Sequence, residues 1–117
     1  MATQNAAFWE MLTQMVEKSD IVIDRPKHSR HPRMSHIIYP VDYGYLKNTT
    51  AIDGEGIDIW VGSEPEKEVQ GILCTVDSWK RDSEIKILYG CTEAEIQTIY
   101  EFTNARDGMK GILIRKE

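Results

Sequence analysis

The sequence predicts a small α+β, mainly β domain, in which short strands curl into a closed or partly open antiparallel barrel with an N-terminal helix and a C-terminal helix. Three observations predict it. Apolar runs of strand length recur between clusters of Pro, Gly and charged residues. A helical period appears near each end of the chain. Between them the strands follow one another without the alternating helices of a βαβ fold. With 117 residues and no linker or repeat, the chain is expected to form one domain over 1–117.

The elements follow in order. Residues 6–18 place Phe8, Met11, Leu12, Met15 and Val16 at the spacing of one helix face, which Trp9 widens. A face this broad suggests packing against the domain or a second copy of the chain, so a homo-oligomer is expected. Ile21-Val22-Ile23 begins a strand that Pro26 stops. Residues 27–36 have no hydrophobic period and read as a basic loop. Ile37 to Leu46 is aromatic and β-rich, interrupted by Pro40 and Gly44. Asn48 to Gly56 is turn-like, and Ile57 to Val61 is a compact apolar strand apart from Asp58. Val69 to Val76 and Glu84 to Tyr89 read as two strands of a hairpin joined through Ser78 to Ser83, which could set Asp77 opposite Glu84. Thr92 and Glu95 form a T-x-x-E capping box that opens a helix carrying Ile96, Ile99, Tyr100 and Thr103 on one face. Gly111 to Ile114 supplies a last strand.

Composition narrows the function. The 19 acidic residues outnumber the 14 Lys and Arg, for a formal charge of −5. Nucleic-acid binding rests on neutralising phosphates with basic side chains, so it is not expected. No run approaches the roughly 20 apolar residues of a membrane helix. Met1 to Asp20 lacks the basic and apolar regions of a secretory signal, and Cys74 and Cys91 sit in no CxxC or zinc pattern. Small core cysteines in a cytoplasmic protein are the expectation.

The unusual feature is acid inside or beside apolar strands. Asp58 interrupts Ile57-Asp58-Ile59-Trp60-Val61, where a carboxylate is costly unless it is paired or bound to metal. Asp53 and Glu55 lie just before it, separated by glycines that permit a tight turn. Asp77, Asp82 and Glu84 form a second acidic set, and Lys86 shares the face of Glu84 at i+2. Such oxygen-only clusters suit Mg²⁺ or Mn²⁺.

Tyr39-Pro40-Val41-Asp42-Tyr43-Gly44-Tyr45, followed by Asp53-Gly54-Glu55-Gly56-Ile57-Asp58, resembles the signature of the soluble inorganic pyrophosphatases, a YPxxYGY segment and then an acidic D-G-D-x-x-D run. The resemblance extends loosely from about Asp24 to Lys86. It implies an OB-like barrel of pyrophosphatase type and a small-molecule phosphate substrate. It implies that Asp53, Asp58, Asp77 and Glu84 hold metal, with Asp82 a rival for Glu84 and Asp24 a further acid of the site. Glu55 would stand close to the attacking water as a base. Lys86, Arg33 and Arg30 would contact phosphate, and Tyr39 and Tyr43 would line the site. The chain departs from the family by its shortness and by Thr103 and Asn104, which stand where the family has a phosphate-binding Tyr–Lys pair.

The function expected is therefore Mg²⁺- or Mn²⁺-dependent hydrolysis of a phosphoanhydride, with inorganic diphosphate first. The alternatives are a non-catalytic metal- or phosphate-binding module on the same barrel, or a hydrolase of another small phosphorylated molecule.

Overall fold

Asn5 starts the first helix by accepting hydrogen bonds from the backbone N–H groups of Ala7 and Phe8 at 2.9 and 3.3 Å. This is helix α1 (Ala6–Glu17) of a computed structural model that describes residues 5–116; residues 1–4 and 117 of the expected domain lie outside the described residues. The broad apolar face splits on packing. Trp9, Leu12 and Val16 are buried, while Phe8, Met11 and Met15 stay exposed. A single helix–sheet contact covers only one stripe of a helix.

The strands are β1 (Ile21–Arg25), β2 (Asp42–Leu46), β3 (Asp58–Val61), β4 (Val69–Asp77), β5 (Asp82–Tyr89) and β6 (Met109–Arg115), with α2 (Glu93–Asn104) before the last. They form one six-stranded sheet in the order β1-β2-β3-β5-β4-β6. Two expectations are corrected here. The sheet is not closed into a barrel, since β1 and β6 are its two ends. Nor is it wholly antiparallel, because β3 runs parallel to β5. The segment from Gly62 to Glu68 makes this possible by crossing one end of the sheet, where Gly62 and Glu64 donate to the carbonyls of Tyr89 and Gly90.

Strand alternation divides the interior. Ile59, Ile72 and Ile87 point to one face and pack with Trp9, Leu12 and Val16 of α1. Their neighbours Trp60, Leu73 and Leu88 point to the other and pack with Ile96 and Ile99 of α2. A strand buried on both faces reads as a continuous apolar run, which explains the unbroken stretches in β4 and β5. Both cysteines carry free thiols; Cys91 is in the core, where burial pushes its pKa up to about 12. No helix among the described residues is long and apolar enough to cross a membrane.

Helix α2 opens with the expected capping box: Glu95 N–H donates to Thr92 Oγ1 at 3.1 Å and Thr92 N–H to Glu95 Oε1 at 2.8 Å. Gly44 is required at its position, because a Cβ there would lie 1.8 Å from the Val22 carbonyl oxygen of β1.

Leu73 is fully buried beneath α2. Leu73→Ala is expected to cost ~2–5 kcal/mol of unfolding free energy, as large-to-small core changes do. Urea denaturation measures it, and a loss under about 1 kcal/mol would show that this core is not close-packed.

Candidate functional site

On the α2 face of the sheet, the apolar rows give way to polar ones. Alternation carries Trp60 to Asp58 in β3, and Leu88 to Lys86, Glu84 and Asp82 in β5. It likewise carries Leu73 to Thr75 and Asp77 in β4, while β2 offers Tyr43 and Tyr45 on the same face. Together these side chains line a cavity of about 520 Å³.

The parallel pairing sets Asp58 directly beside Lys86. Lys86 Nζ donates to Tyr43 Oη at 2.7 Å, Asp58 Oδ2 at 2.8 Å and Glu84 Oε2 at 3.4 Å. An ammonium has three N–H donors, so all three are engaged. Lys86 lines the cavity with its ammonium held by these three oxygens. Burial opposes its charge, but Tyr43 and Asp58 outweigh that and lift its pKa above the ordinary lysine value. Burial raises the Tyr43 hydroxyl as well, and it raises Glu84, where Asp58 and Asp53 add to the effect against Lys86.

The hairpin register corrects a further expectation. Asp77 pairs with Asp82, and Glu84 stands opposite Thr75. The connection is tighter than Ser78 to Ser83, because Asp77 Oδ1 accepts from the N–H groups of Trp79 and Lys80 at 3.0 and 2.9 Å and closes the turn early. Asp82 thus joins β5 and becomes the acid facing Asp77. Asp53 plays a similar local part, accepting from Glu55 N–H at 2.9 Å, with Gly54 supplying a φ of +85°. Both Asp53 and Glu55 are exposed and line the cavity mouth.

Asp24 reaches the cavity through a bulge. The register of β1 shifts between Ile23 and Arg25, so the extra residue Asp24 and its neighbour Arg25 both face the site, 3.3 Å from each other. Tyr39 and Tyr43 stack with their ring centroids 5.5 Å apart, and Trp60 and Phe102 pack beside them. Tyr39 also lies parallel to His31.

The basic residues differ from those expected. Arg30 donates to the Ser35 carbonyl at 2.7 Å, and neither it nor Arg33 lines the cavity. Arg25, Lys80, Arg106 and His31 do. Sequence reasoning passed over Lys80 and Arg106 because one sits in a turn and the other after a helix, with no local pattern to mark them. Burial lowers the pKa of His31 below 6.5, and the charges of Arg106, Arg25, Lys80 and Arg33 lower it further. Its Nδ1 accepts from the backbone N–H groups of Arg33 and Met34, which requires the neutral ring. Among the described residues Lys80 and Arg106 have no carboxylate within ion-pair distance, and the buried Nε of Arg25 has no hydrogen-bond acceptor.

Thr103 and Asn104 are taken up by the fold. Thr103 donates to the Ile99 carbonyl, and the Asn104 amide brackets Gly111, accepting from its N–H at 3.0 Å and donating to its carbonyl at 3.2 Å.

The oxygen-only donor set fits a hard divalent cation in its chemistry. Asp53, Asp58, Asp77, Asp82 and Glu84 all line the cavity, and Asp58 and Glu84 also accept from Lys86. Among the described residues, no three of these groups are placed close enough together to grip one ion, so an ion would have to gather them on binding.

No family model matches the chain. Over 59 residues it is 39% identical to the inorganic pyrophosphatases of Geobacillus stearothermophilus and of Bacillus sp. strain PS3, covering 44% of this chain and 36% of each relative. It is 32% identical over 59 residues to that of Halalkalibacterium halodurans, with the same coverage. The matched stretch thus spans about a third (36%) of the length of these curated relatives. Among solved structures, the inorganic pyrophosphatase of Helicobacter pylori superposes with a TM-score of 0.55 at 16% identity, covering 81% of each chain. An inorganic phosphatase of Anaplasma phagocytophilum matches equally well, at a TM-score of 0.55 and 16% identity over 81% of each chain. The likeness to solved structures shows a shared fold, and the resemblance read from the sequence is borne out.

The Lys86–Asp58 pair generates a stability prediction. Asp58→Asn leaves a buried ammonium short of its nearest carboxylate and is expected to destabilise the metal-free protein by roughly 3 kcal/mol. Lys86→Met in the same chain should recover much of the loss. Urea melts in EDTA check both, and an Asp58→Asn protein as stable as the parent would show that the pair holds nothing together.

Proposed function

We propose that the chain is a phosphohydrolase that splits a phosphoanhydride, with inorganic diphosphate the first substrate, in the presence of Mg²⁺ or Mn²⁺. The observation that supports this reading is one cavity lined by both carboxylates and cations, of which Lys80 and Arg106 have no carboxylate within ion-pair distance among the described residues. Neither set of charges alone suits a polyanion brought in with metal. The relatives' names give the same direction.

Asp53, Asp58, Asp77 and Asp82 would hold the metal, with Asp24 beside them. Bound there, a divalent ion lowers the pKa of water and offsets phosphoryl charge. The remaining work falls to the chain. Arg25, Lys80 and Arg106 bind and orient the phosphate oxygens, in place of the donors that Thr103 and Asn104 do not supply. Glu55, at the mouth and free of any cationic partner among the described residues, takes the proton of the attacking water. Tyr39 and the aromatic cluster back the cavity with apolar surface, which strengthens each electrostatic contact. Lys86 keeps Asp58 and Tyr43 in place. The exposed Phe8, Met11 and Met15 form the stripe a second copy of the chain would cover, which light scattering tests.

Two outcomes are expected of turnover. The purified protein releases phosphate from diphosphate with Mg²⁺ or Mn²⁺ and stops with chelator; if no phosphoanhydride in a broad panel turns over, the module that only binds phosphate becomes the better reading. Glu55→Gln lowers turnover by ~10²–10⁴-fold with metal affinity retained, as loss of a general base does. Turnover within threefold of the parent would remove Glu55 from that role.

His31 reports on binding. Its folded pKa lies below the unfolded 6.5, so its contribution to stability is present above 6.5 and is lost as pH falls through the folded value. An anion among Arg25, Lys80 and Arg106 offsets the charges that depress it. The NMR titration of His31 should therefore move upward when diphosphate is added, and a titration that ignores diphosphate would place the anion elsewhere.

A further inference from the structure

Trp79 departs from the other two tryptophans. Trp9 and Trp60 are buried, whereas Trp79 is 75% exposed. A tryptophan left in water forgoes a large gain from burial. It stands in the turn between β4 and β5, next to Lys80 and two residues after Asp77, both of which line the cavity. We propose that Trp79 is a stacking platform for the base of a nucleoside polyphosphate whose phosphates enter the cavity.

Three observations place it there. First, the residue is held by its surroundings. Its own backbone N–H donates to Asp77 Oδ1 at 3.0 Å, and Ser78 N–H donates to the Gly108 carbonyl at 2.8 Å. The six-membered ring of the indole rests on buried Gly108, where a Cβ would overlap it. Second, Gly108 lies between Arg106 and Met109, which also line the cavity. Trp79 is thus bracketed by cavity residues on both of the segments it joins. Third, the chemistry on either side of the ring is complementary to one class of ligand. Lys80 and Arg106 have no carboxylate within ion-pair distance among the described residues. Cations beside an exposed aromatic face suit a molecule with an anionic end and a flat aromatic end. Phosphate oxygens meet the cations, and any base can stack on the indole, because every base has a π-face. A bare diphosphate would leave the indole unused, and an apolar partner would leave the cations unused.

The inference deepens the proposed phosphohydrolase reading by naming a substrate class, and rests on it for the cavity that takes the phosphates. Its test reads binding and not turnover.

Adenosine α,β-methylene diphosphate and methylene diphosphonate carry the same pair of phosphorus groups, the first with a nucleoside. Neither has the bridging oxygen whose bond would be split. Calorimetry with Mg²⁺ gives the ratio of their affinities. Trp79→Ala is expected to lower the preference for the nucleoside compound about tenfold, and Trp79→Phe, which keeps an aromatic face, by less than about threefold. An unchanged ratio in Trp79→Ala overturns the proposal, as does failure of the nucleoside compound to bind the parent. Should Trp79→Ala not fold, the fluorescence of the parent decides. The nucleoside compound should shield the exposed indole from acrylamide and methylene diphosphonate should not; equal shielding, or none, overturns the proposal. If Trp79→Ala turns a dimer into monomers in light scattering at an unchanged ratio, the ring belongs to a contact between copies and the proposal falls. If the nucleoside compound binds through Trp79 while no phosphoanhydride is hydrolysed, the phosphohydrolase reading fails and this one stands. If diphosphate is hydrolysed and the ratio ignores Trp79, the reverse holds.

Discussion

The parallel pairing of β3 with β5 is the constraint on which the site depends. It aligns Asp58 with Lys86, Ile59 with Ile87 and Trp60 with Leu88. One ladder thus supplies the charged pair at the floor of the cavity and a row in each core. An isolated carboxylate at Asp58 would be costly in such a strand. Beside Lys86 it is compensated, and the compensation ties β2 in as well through the Tyr43 hydroxyl. The polar network is the end of a packing row, continuous with Trp60 and Tyr43, whose ring centroids lie 4.5 Å apart.

The cations of the cavity are placed differently. Arg25 comes from a bulge in the end strand β1, Lys80 from a turn closed by Asp77, and Arg106 from the chain just beyond α2. Lys110 steadies that last segment by donating to the carbonyls of Asn104 and Arg106 at 2.8 and 3.1 Å. Acids therefore sit largely on strands and cations largely on connections. Strands hold geometry closely, while connections admit adjustment.

Much of this was legible in the sequence, for reasons that differ by residue. Both helices were readable from their period, and α2 also from its cap, because Thr92 and Glu95 act over one turn. Asp58 was singled out as an acid that needs a partner, and Lys86 is a partner the fold sets beside it. The pairing that brings them together joins residues 28 apart in sequence through a parallel ladder, and no local pattern announces such a contact. The Asp77–Asp82 register was misjudged because the turn is closed by the Asp77 side chain, a bond that composition does not reveal. Barrel closure was an inference from strand spacing and family likeness. Strand spacing does not determine whether the first and last strands meet.

The four residues of β3 have a bearing on how this chain can change over generations. Successive positions Asp58, Ile59 and Trp60 serve the cavity, the α1 core and the α2 core in turn. A single inserted or deleted codon in this strand would invert that parity, sending Asp58 into hydrocarbon and Ile59 into the cavity. The crossing from Gly62 to Glu68 lies outside the alternation and carries no such penalty. Length variation among descendants of this sequence should therefore collect in the crossing and be purged from the strand, even where every substituted side chain is chemically mild.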